Sequence, residues 1–178
     1  MIAECRVQTC RTLAAYIVAL VERVEEGEPG SFRRLRDVVG GRVARIALDG
    51  ETVVVRFEGD RFVAVDAAEA DIGADGEGGT DRVTTLRLLD GSLEVTDAIV
   101  QGRLDARGDN ESLARIFQAI EILLDASTRV PSLPRLAGAY EADPCRPSRP
   151  PERERPGAAA AAVAAAERAL LRRLDLLP

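Results

Sequence analysis

The most informative pattern in the chain is a run in which charged and apolar residues alternate with a period of two and then change to helical spacing. Residues 102–108 read Gly-Arg-Leu-Asp-Ala-Arg-Gly, which places Leu104 and Ala106 on one face of a strand. The pattern predicts that this short strand leads directly into a long helix with Asp109 or Asn110 as its N-cap. The apolar stripe of that helix comprises Leu113, Ile116, Phe117, Ile120, Leu123 and Leu124.

Two further helices are predicted near the N-terminus. Apolar residues recur at helical spacing from Thr9 to Glu26, and the pair Pro29-Gly30 ends that pattern. Ser31 is expected to cap a second helix that ends at Gly40. Three arginines lie off the apolar stripe of the second helix. We interpret them as a solvated face, and the alternative is a patch that docks an acidic head group or partner. These arginines are Arg33, Arg34 and Arg36.

Three segments rich in β-branched and apolar residues predict an antiparallel meander. They are Arg42 to Leu48, Thr52 to Glu58, and Arg61 to Val65. The pairs between them, Asp49-Gly50 and Gly59-Asp60, suit two-residue hairpin turns. The middle segment contains three successive valines at 53–55 and is apolar on both faces. We therefore expect its strand to be central in the sheet and at least partly covered on both sides.

The segment from Asp66 to Asp81 contains six acidic residues, four glycines and no basic residue, which predicts a mobile acidic loop. A calcium site of the EF-hand type does not fit, because Arg82 stands where that loop needs its bidentate glutamate. Val83 to Leu88 is predicted to be a fourth strand, and Leu93 to Val100 a short helix. The strand that starts at residue 102 then becomes the fifth.

The amino-acid composition excludes several chemistries. The chain has no histidine, lysine or tryptophan, which rules out histidine-assisted nucleophiles, Schiff-base lysines and histidine-ligated metals. All 24 basic residues are arginines, which is typical of codon usage in a GC-rich bacterial genome. The net charge of −6 argues against nucleic acid or an anionic membrane as the main partner. We expect no metal, no cofactor and no enzymatic activity.

The strand and helix described first, with the turn-rich stretch before them, resemble the sterol carrier protein 2 (SCP2-like) family. In that family a strand reading Gly-x-apolar-x-apolar-x-Gly-Asp precedes a long helix, and Gly102 to Asp109 matches this pattern. The resemblance covers roughly residues 10–140. It implies an α+β fold with a five-stranded, mainly antiparallel sheet covered by helices. It also implies a tunnel for a lipid or acyl chain between the sheet and the helices.

Eight apolar positions on matching elements are the candidate ligand-binding residues of such a tunnel. The alternative for each is a place in a closed aliphatic core, because periodicity does not distinguish a wall that faces a ligand from one that faces side chains. The candidates are Phe57, Phe62, Leu86, Ile99, Phe117, Ile120, Leu123 and Leu136.

The chain is expected to divide into a folded domain at 1–140, a Pro-rich linker at 141–157 and an Ala-rich helical tail at 158–178. The tail either packs on its own domain or docks on a partner protein or a second subunit. Three cysteines cannot all pair, so reduced thiols in a cytoplasmic protein are expected. No run approaches the roughly 18 apolar residues that a membrane span needs, so stable membrane insertion is not expected.

Three functions remain open at this point. The favoured one is non-enzymatic binding or transfer of a hydrophobic small molecule, such as a fatty acid, acyl-CoA, sterol or isoprenoid. The alternative is an accessory or scaffold role in a lipid or quinone biosynthetic pathway, exerted through protein contacts. The third, an enzyme that uses a carboxylate with Tyr16 or Tyr140, has no recognisable constellation of residues behind it.

Overall fold

The computed structural model describes residues 11–70 and 73–144. Over these residues the chain forms an α+β fold in which one face of a five-stranded sheet packs against helices. The fold class predicted from the sequence is confirmed. The tail helix predicted at 158–178, most of the linker predicted at 141–157 and all three cysteines lie outside the described residues.

The first two helices form where the apolar spacing predicts them. The helix α1 (Leu13–Gly27) begins after Thr12, whose hydroxyl oxygen accepts a hydrogen bond from the N–H three residues later (3.2 Å). The helix α2 (Pro29–Val39) begins before Ser31, the predicted cap, because proline suits the first helical position. It ends as predicted at Gly40, whose φ of 57° is in the left-handed region.

The sheet contains the predicted meander and two further strands. The strands are β1 (Ala44–Leu48), β2 (Glu51–Glu58), β3 (Arg61–Asp66), β4 (Gly76–Thr80) and β5 (Asp105–Gly108). Their order is β3-β2-β1-β4-β5, with β1 and β4 parallel and every other neighbouring pair antiparallel. The central strand is β1 rather than β2, since the two additional strands join on the β1 side. The three valines of β2 are nevertheless all buried, as expected.

The segment from 76 to 89 corrects two predictions. Residues 76–80, predicted as part of the acidic loop, form β4, which pairs with β1 on one edge and β5 on the other. Backbone hydrogen bonds hold this strand in the sheet. Its glycines have low strand propensity, so the sequence pattern gives no sign of a strand here. Val83 to Leu88, predicted as a strand, belong to the helix α3 (Arg82–Leu89). The Asp81 carboxylate starts that helix by accepting a hydrogen bond from the Thr84 N–H (2.7 Å).

The remaining helices include two that the sequence predicts and one that it does not. The helices α4 (Val95–Val100) and α5 (Asn110–Arg129) confirm the short helix and the long one. The helix α6 (Ser132–Glu141) was not predicted, because Pro131 and Pro134 suggested a break. Both prolines stand at its N-terminal end, where a missing N–H removes no hydrogen bond of the helix.

The register of the sheet defines the face on which the core lies. Ile46 of β1 pairs with Val53 of β2 and Gly78 of β4, so these three residues share one face. Apolar residues of α1, α2, α5 and α6 cluster against it. The opposite face carries the ion pair between Arg45 and Glu77 (3.0 Å). The space between sheet and helices is therefore where a tunnel would have to lie.

Candidate functional site

A cavity of about 310 Å³ lies between the sheet and the helices. We call it the sheet cavity. Glycines of β4 form part of its floor because they bring no side chain to the helix-facing side. A Cβ atom built at Gly78 would meet only the carbonyl oxygen of Asp105, at 3.8 Å. At Gly76 it would meet Cδ1 of Ile116 at 2.9 Å, so α5 already fills the space there. Space is therefore open above the middle of β4, at Gly78.

The walls of the sheet cavity are mainly aliphatic. Residues of α1 and α2 form one part of the wall, and residues of α3 and α5 form another. The larger apolar side chains among them are Ile17, Leu20, Val21, Leu35, Val39, Leu88, Leu89, Ile116, Ile120, Leu123 and Leu124. A pocket of this size and lining is within the range of small-molecule sites in proteins.

A second cavity, of about 410 Å³, lies beneath α6 and is called here the α6 cavity. It is lined by residues of α1, α3 and α6, and its mainly apolar wall again offers few polar groups. Five residues line both cavities, so the two spaces adjoin. They are Ile17, Leu20, Leu48, Thr85 and Leu89.

Polar contacts fix α6 over this second cavity. The Tyr16 hydroxyl donates a hydrogen bond to Oδ2 of Asp143 (3.1 Å), and the rings of Tyr16 and Tyr140 meet edge to face with centroids 4.9 Å apart. The buried side chain of Arg82 donates to two carbonyl oxygens at the end of α6, at 3.2 Å each. Its Nε also pairs with Oδ2 of Asp49 (3.4 Å). The position of α6 thus depends on α1, α3 and the turn before β2.

Charged residues also line both cavities. The sheet cavity is lined by Asp75 together with Arg42 and Arg115, whose side chains are 39% and 36% exposed. The α6 cavity is lined by the exposed residues Asp90 and Glu141. Hydrogen bonds from Ser92 hold the pKa of Asp90 below its ordinary value.

The structure brings five of the eight sequence-predicted ligand-binding residues to these cavities. Phe62, Ile120 and Leu123 line the sheet cavity, and Leu86 and Leu136 line the α6 cavity. Phe57, Ile99 and Phe117 line neither. Phe57 is buried in the core, where its ring meets that of Phe32 edge to face with centroids 5.8 Å apart. Ile99 is 39% exposed on α4, and Phe117 is half-buried on α5.

The glycine floor and the two arginines were not predicted from the sequence. The run Gly76 to Thr80 has three glycines at positions of a strand, and a glycine inside a strand signals the close approach of another group or an open space. The acidic residues around these glycines favour a loop in the sequence and hide that signal. Nothing in the spacing of Arg42 and Arg115 indicates that they meet, since β1 and α5 come together only in the folded chain.

Within residues 11–70 and 73–144, no group of three or more histidine, cysteine, aspartate or glutamate side chains is arranged to hold a metal ion. None of the helices in these ranges combines the length and apolar character needed to cross a membrane.

Comparison with known proteins identifies the architecture. No protein-family model matches the chain, and no curated protein matches it in sequence. Among solved structures, the ubiquinone synthesis protein UbiJ-SCP2 superposes with a TM-score of 0.50 at 18% identity, over 65% of this chain and 91% of its own. The chain has an SCP2-like fold.

Two further SCP2-like structures match over similar lengths. A crystal structure of sterol carrier protein 2 gives a TM-score of 0.46 at 22% identity, over 66% of this chain and 96% of its own. The solution structure of sterol carrier protein domain 2 from Helicoverpa armigera gives 0.48 at 13% identity, over 66% and 90%. The superposition on UbiJ-SCP2 confirms the resemblance drawn from Gly102 to Asp109 as a resemblance of fold.

Proposed function

We propose that this SCP2-like chain binds a hydrophobic small molecule in the two adjoining cavities and carries it without chemical conversion. The observation that carries the proposal is the floor of the sheet cavity. Gly78 pairs with Ile46 on one side and Ala106 on the other, yet no helix fills the space above it. Protein interiors normally fill such space, so a cavity here is expected to have an occupant.

The energetics need no special chemistry. Burying about 12 methylene groups at about 0.8 kcal/mol each contributes roughly 10 kcal/mol, before the loss of ligand freedom is subtracted. Acyl chains, sterols and isoprenoids all supply apolar surface of this order. The aliphatic walls are compatible with each of these classes.

The test of the proposal is a substitution that places a side chain in the sheet cavity. Gly78→Leu places an aliphatic side chain in the sheet cavity, whereas Gly79→Leu places one on the opposite face of the same strand, beside Ala47. Neither glycine has a positive φ, so both variants retain ordinary strand backbone. Binding of dodecan-1-ol is measured by displacement of the neutral fluorescent dye N-phenylnaphthylamine.

We expect Gly78→Leu to weaken dodecanol binding at least ten-fold while Gly79→Leu binds as the unmodified chain does. Each variant's thermal melt shows whether it has folded. Equal binding by both folded leucine variants would place the dye and the alcohol outside the sheet cavity and contradict the proposal. Failure of the unmodified chain to bind dodecanol or any tested sterol or isoprenoid would do the same.

A second candidate is an accessory role in a lipid or quinone biosynthetic pathway. It is motivated by the structural likeness to a ubiquinone synthesis protein. A carrier must release its ligand, so dodecanol labelled with a fluorophore should move from the protein to phosphatidylcholine vesicles within the time of the assay. Tight retention of the labelled alcohol in the presence of excess vesicles would favour the accessory role.

A further inference from the structure

The strand β5 forms one edge of the sheet, and among the described residues no strand pairs with its outer side. A Cβ atom built at Gly78 would lie 3.8 Å from the carbonyl oxygen of Asp105. One built at Gly76 would lie 3.5 Å from that of Arg107, so both carbonyl groups point toward β4. Because backbone groups of an antiparallel strand point alternately to its two sides, the N–H and C=O groups of Ala106 point outward.

The charges on either side of Ala106 are self-complementary. The side chains of Asp105 and Arg107 are 61% and 75% exposed and form an ion pair with one another (3.2 Å). Both lie on the sheet face opposite the helices, where Arg45, Glu77 and Arg107 stand side by side and alternate in sign. Antiparallel pairing of two β5 strands about a two-fold axis at Ala106 would place Asp105 of each copy opposite Arg107 of the other. The alternation of charge would then continue across the joint.

The strand at the other edge of the sheet, β3, does not have this symmetry. Its charged ends, Arg61 and Asp66, are an odd number of positions apart and therefore project from opposite faces. Two-fold pairing of β3 strands would set only residues of the same face opposite one another, so it could not join these charges. Charge complementarity therefore favours β5 over β3 as a surface for a second copy.

The helix α5 runs along β5 in the opposite direction. Its first turn lies above the β4–β5 pair, since a Cβ atom built at Gly108 would meet the Cβ of Ser112 at 3.1 Å. Two turns later, Ile120 packs against the cluster that contains Leu104, directly before β5. The middle of this stretch of α5 is therefore level with the middle of β5.

The side of α5 that faces beyond the β5 edge is apolar. Ile122 packs in the cluster formed with α2, and Leu113 and Phe117 lie on the opposite side of the helix. Both are half-buried, and neither belongs to a core cluster of the described residues. Ile99 and Val100, at the end of α4 and near the start of β5, are 39% and 86% exposed. Apolar surface thus lies beside the free strand edge.

We propose that two copies of this chain associate through antiparallel β5 strands, with a two-fold axis at Ala106 and the two α5 helices side by side above one continuous sheet. Since α5 begins about half a strand spacing inside β5, strands about 4.8 Å apart set the two helices about 10 Å apart, which is an ordinary distance for packed helices. Leu113 and Phe117 of both copies lie between the helices. The inference does not depend on ligand binding.

The test uses charge reversal on the full chain, with the dimer Kd measured by sedimentation velocity over a range of concentrations. Asp105→Arg sets arginine opposite arginine at both ends of the joint, and Arg107→Asp sets aspartate opposite aspartate. We expect each variant to raise the dimer Kd by about ten-fold or more. An equimolar mixture of the two variants should recover the dimer, because the mixed pair again sets arginine opposite aspartate at both ends.

Two further variants separate the strand edge from general effects. Ala106→Pro removes the outward N–H at a position where an edge strand tolerates proline, so it should also weaken the dimer. Arg61→Asp, the matched reversal on β3, should leave the dimer Kd unchanged. Thermal melts show whether each variant is folded.

Three results would overturn the proposal. The first is an unmodified chain that stays monomeric at every concentration. The second is a dimer that persists unchanged in both single reversals, which would place the contact on another surface. The third is a mixture of the two folded reversal variants that remains monomeric.

Discussion

A single carboxylate sets the start of the longest helix. Oδ1 of Asp109 accepts a hydrogen bond from the Ser112 N–H at 2.7 Å and so satisfies one of the unpaired donors at the N-terminus of α5. That backbone hydrogen bond is the main reason why the pKa of Asp109 lies below its ordinary value of 3.8. The stabilisation is therefore fully present at neutral pH and is lost as the pH falls through the lowered pKa.

Replacing this cap should have a pH-dependent effect. We expect Asp109→Ala to lower the Tm at neutral pH, and we expect the difference from the unmodified chain to shrink as the pH falls below 3.8. Asp109→Ser is the matched control, since a hydroxyl can accept the same hydrogen bond but does not titrate. Thermal melts across the pH range check this. A constant difference between Asp109→Ala and the unmodified chain at all pH values would contradict it.

At the scale of elements, the sequence predicts best where side chains decide the structure. The amphipathic stripe of α5 and the valine-rich β2 are set by their own patterns and form as predicted. β4 forms because two neighbouring strands offer hydrogen bonds to its backbone, and no side-chain pattern encodes that. Val83 to Leu88 contains β-branched and apolar residues typical of a strand. The Asp81 cap and the packing of α3 nevertheless stabilise a helix there.

Arg82 offers a test of how one element holds another. Its buried guanidinium joins the start of α3 to Asp49 and to the last carbonyl oxygens of α6. Arg82→Met removes the cationic partner of Asp49 in a largely buried site and leaves that carboxylate only the hydrogen bond from the residue 82 N–H (3.1 Å). We therefore expect a loss of about 3 kcal/mol in the free energy of unfolding. Chemical denaturation measures it. The control, Arg87→Met on the same helix, alters a partly exposed side chain whose hydrogen bond to the Ser92 carbonyl oxygen lies at the surface, and it should cost less than about 0.5 kcal/mol. Equal losses in both variants would show that Arg82 does not anchor α6.

At the scale of the whole molecule, a cavity forms where side chains of the helices and the sheet do not reach one another. Phe62 and Phe57 lie opposite one another on neighbouring strands and look alike in the sequence, yet only Phe62 lines the sheet cavity. The difference arises because the ring of Phe57 packs against Phe32 of α2. The sequence could therefore predict the layer in which a ligand space lies. It could not predict which residues border that space, because this depends on the distances between helices.

The contacts of α6 bear on where the folded domain ends. The sequence places the domain boundary near residue 140, but α6 is held by groups beyond it, including the Glu141 carbonyl oxygen and the Asp143 carboxylate. We expect a chain cut after Pro144 to keep the Tm and the dodecanol affinity of the full chain. A cut after Ala139 should lower both, because it removes the ring contact of Tyr140 with Tyr16 and the carbonyl oxygens that Arg82 binds. Thermal melts and dye displacement on the two truncations check this. An unfolded 1–144 chain would show that residues 145–178 contribute to the stability of the domain. A 1–139 chain with unchanged Tm and affinity would show that the end of α6 does not contribute to either.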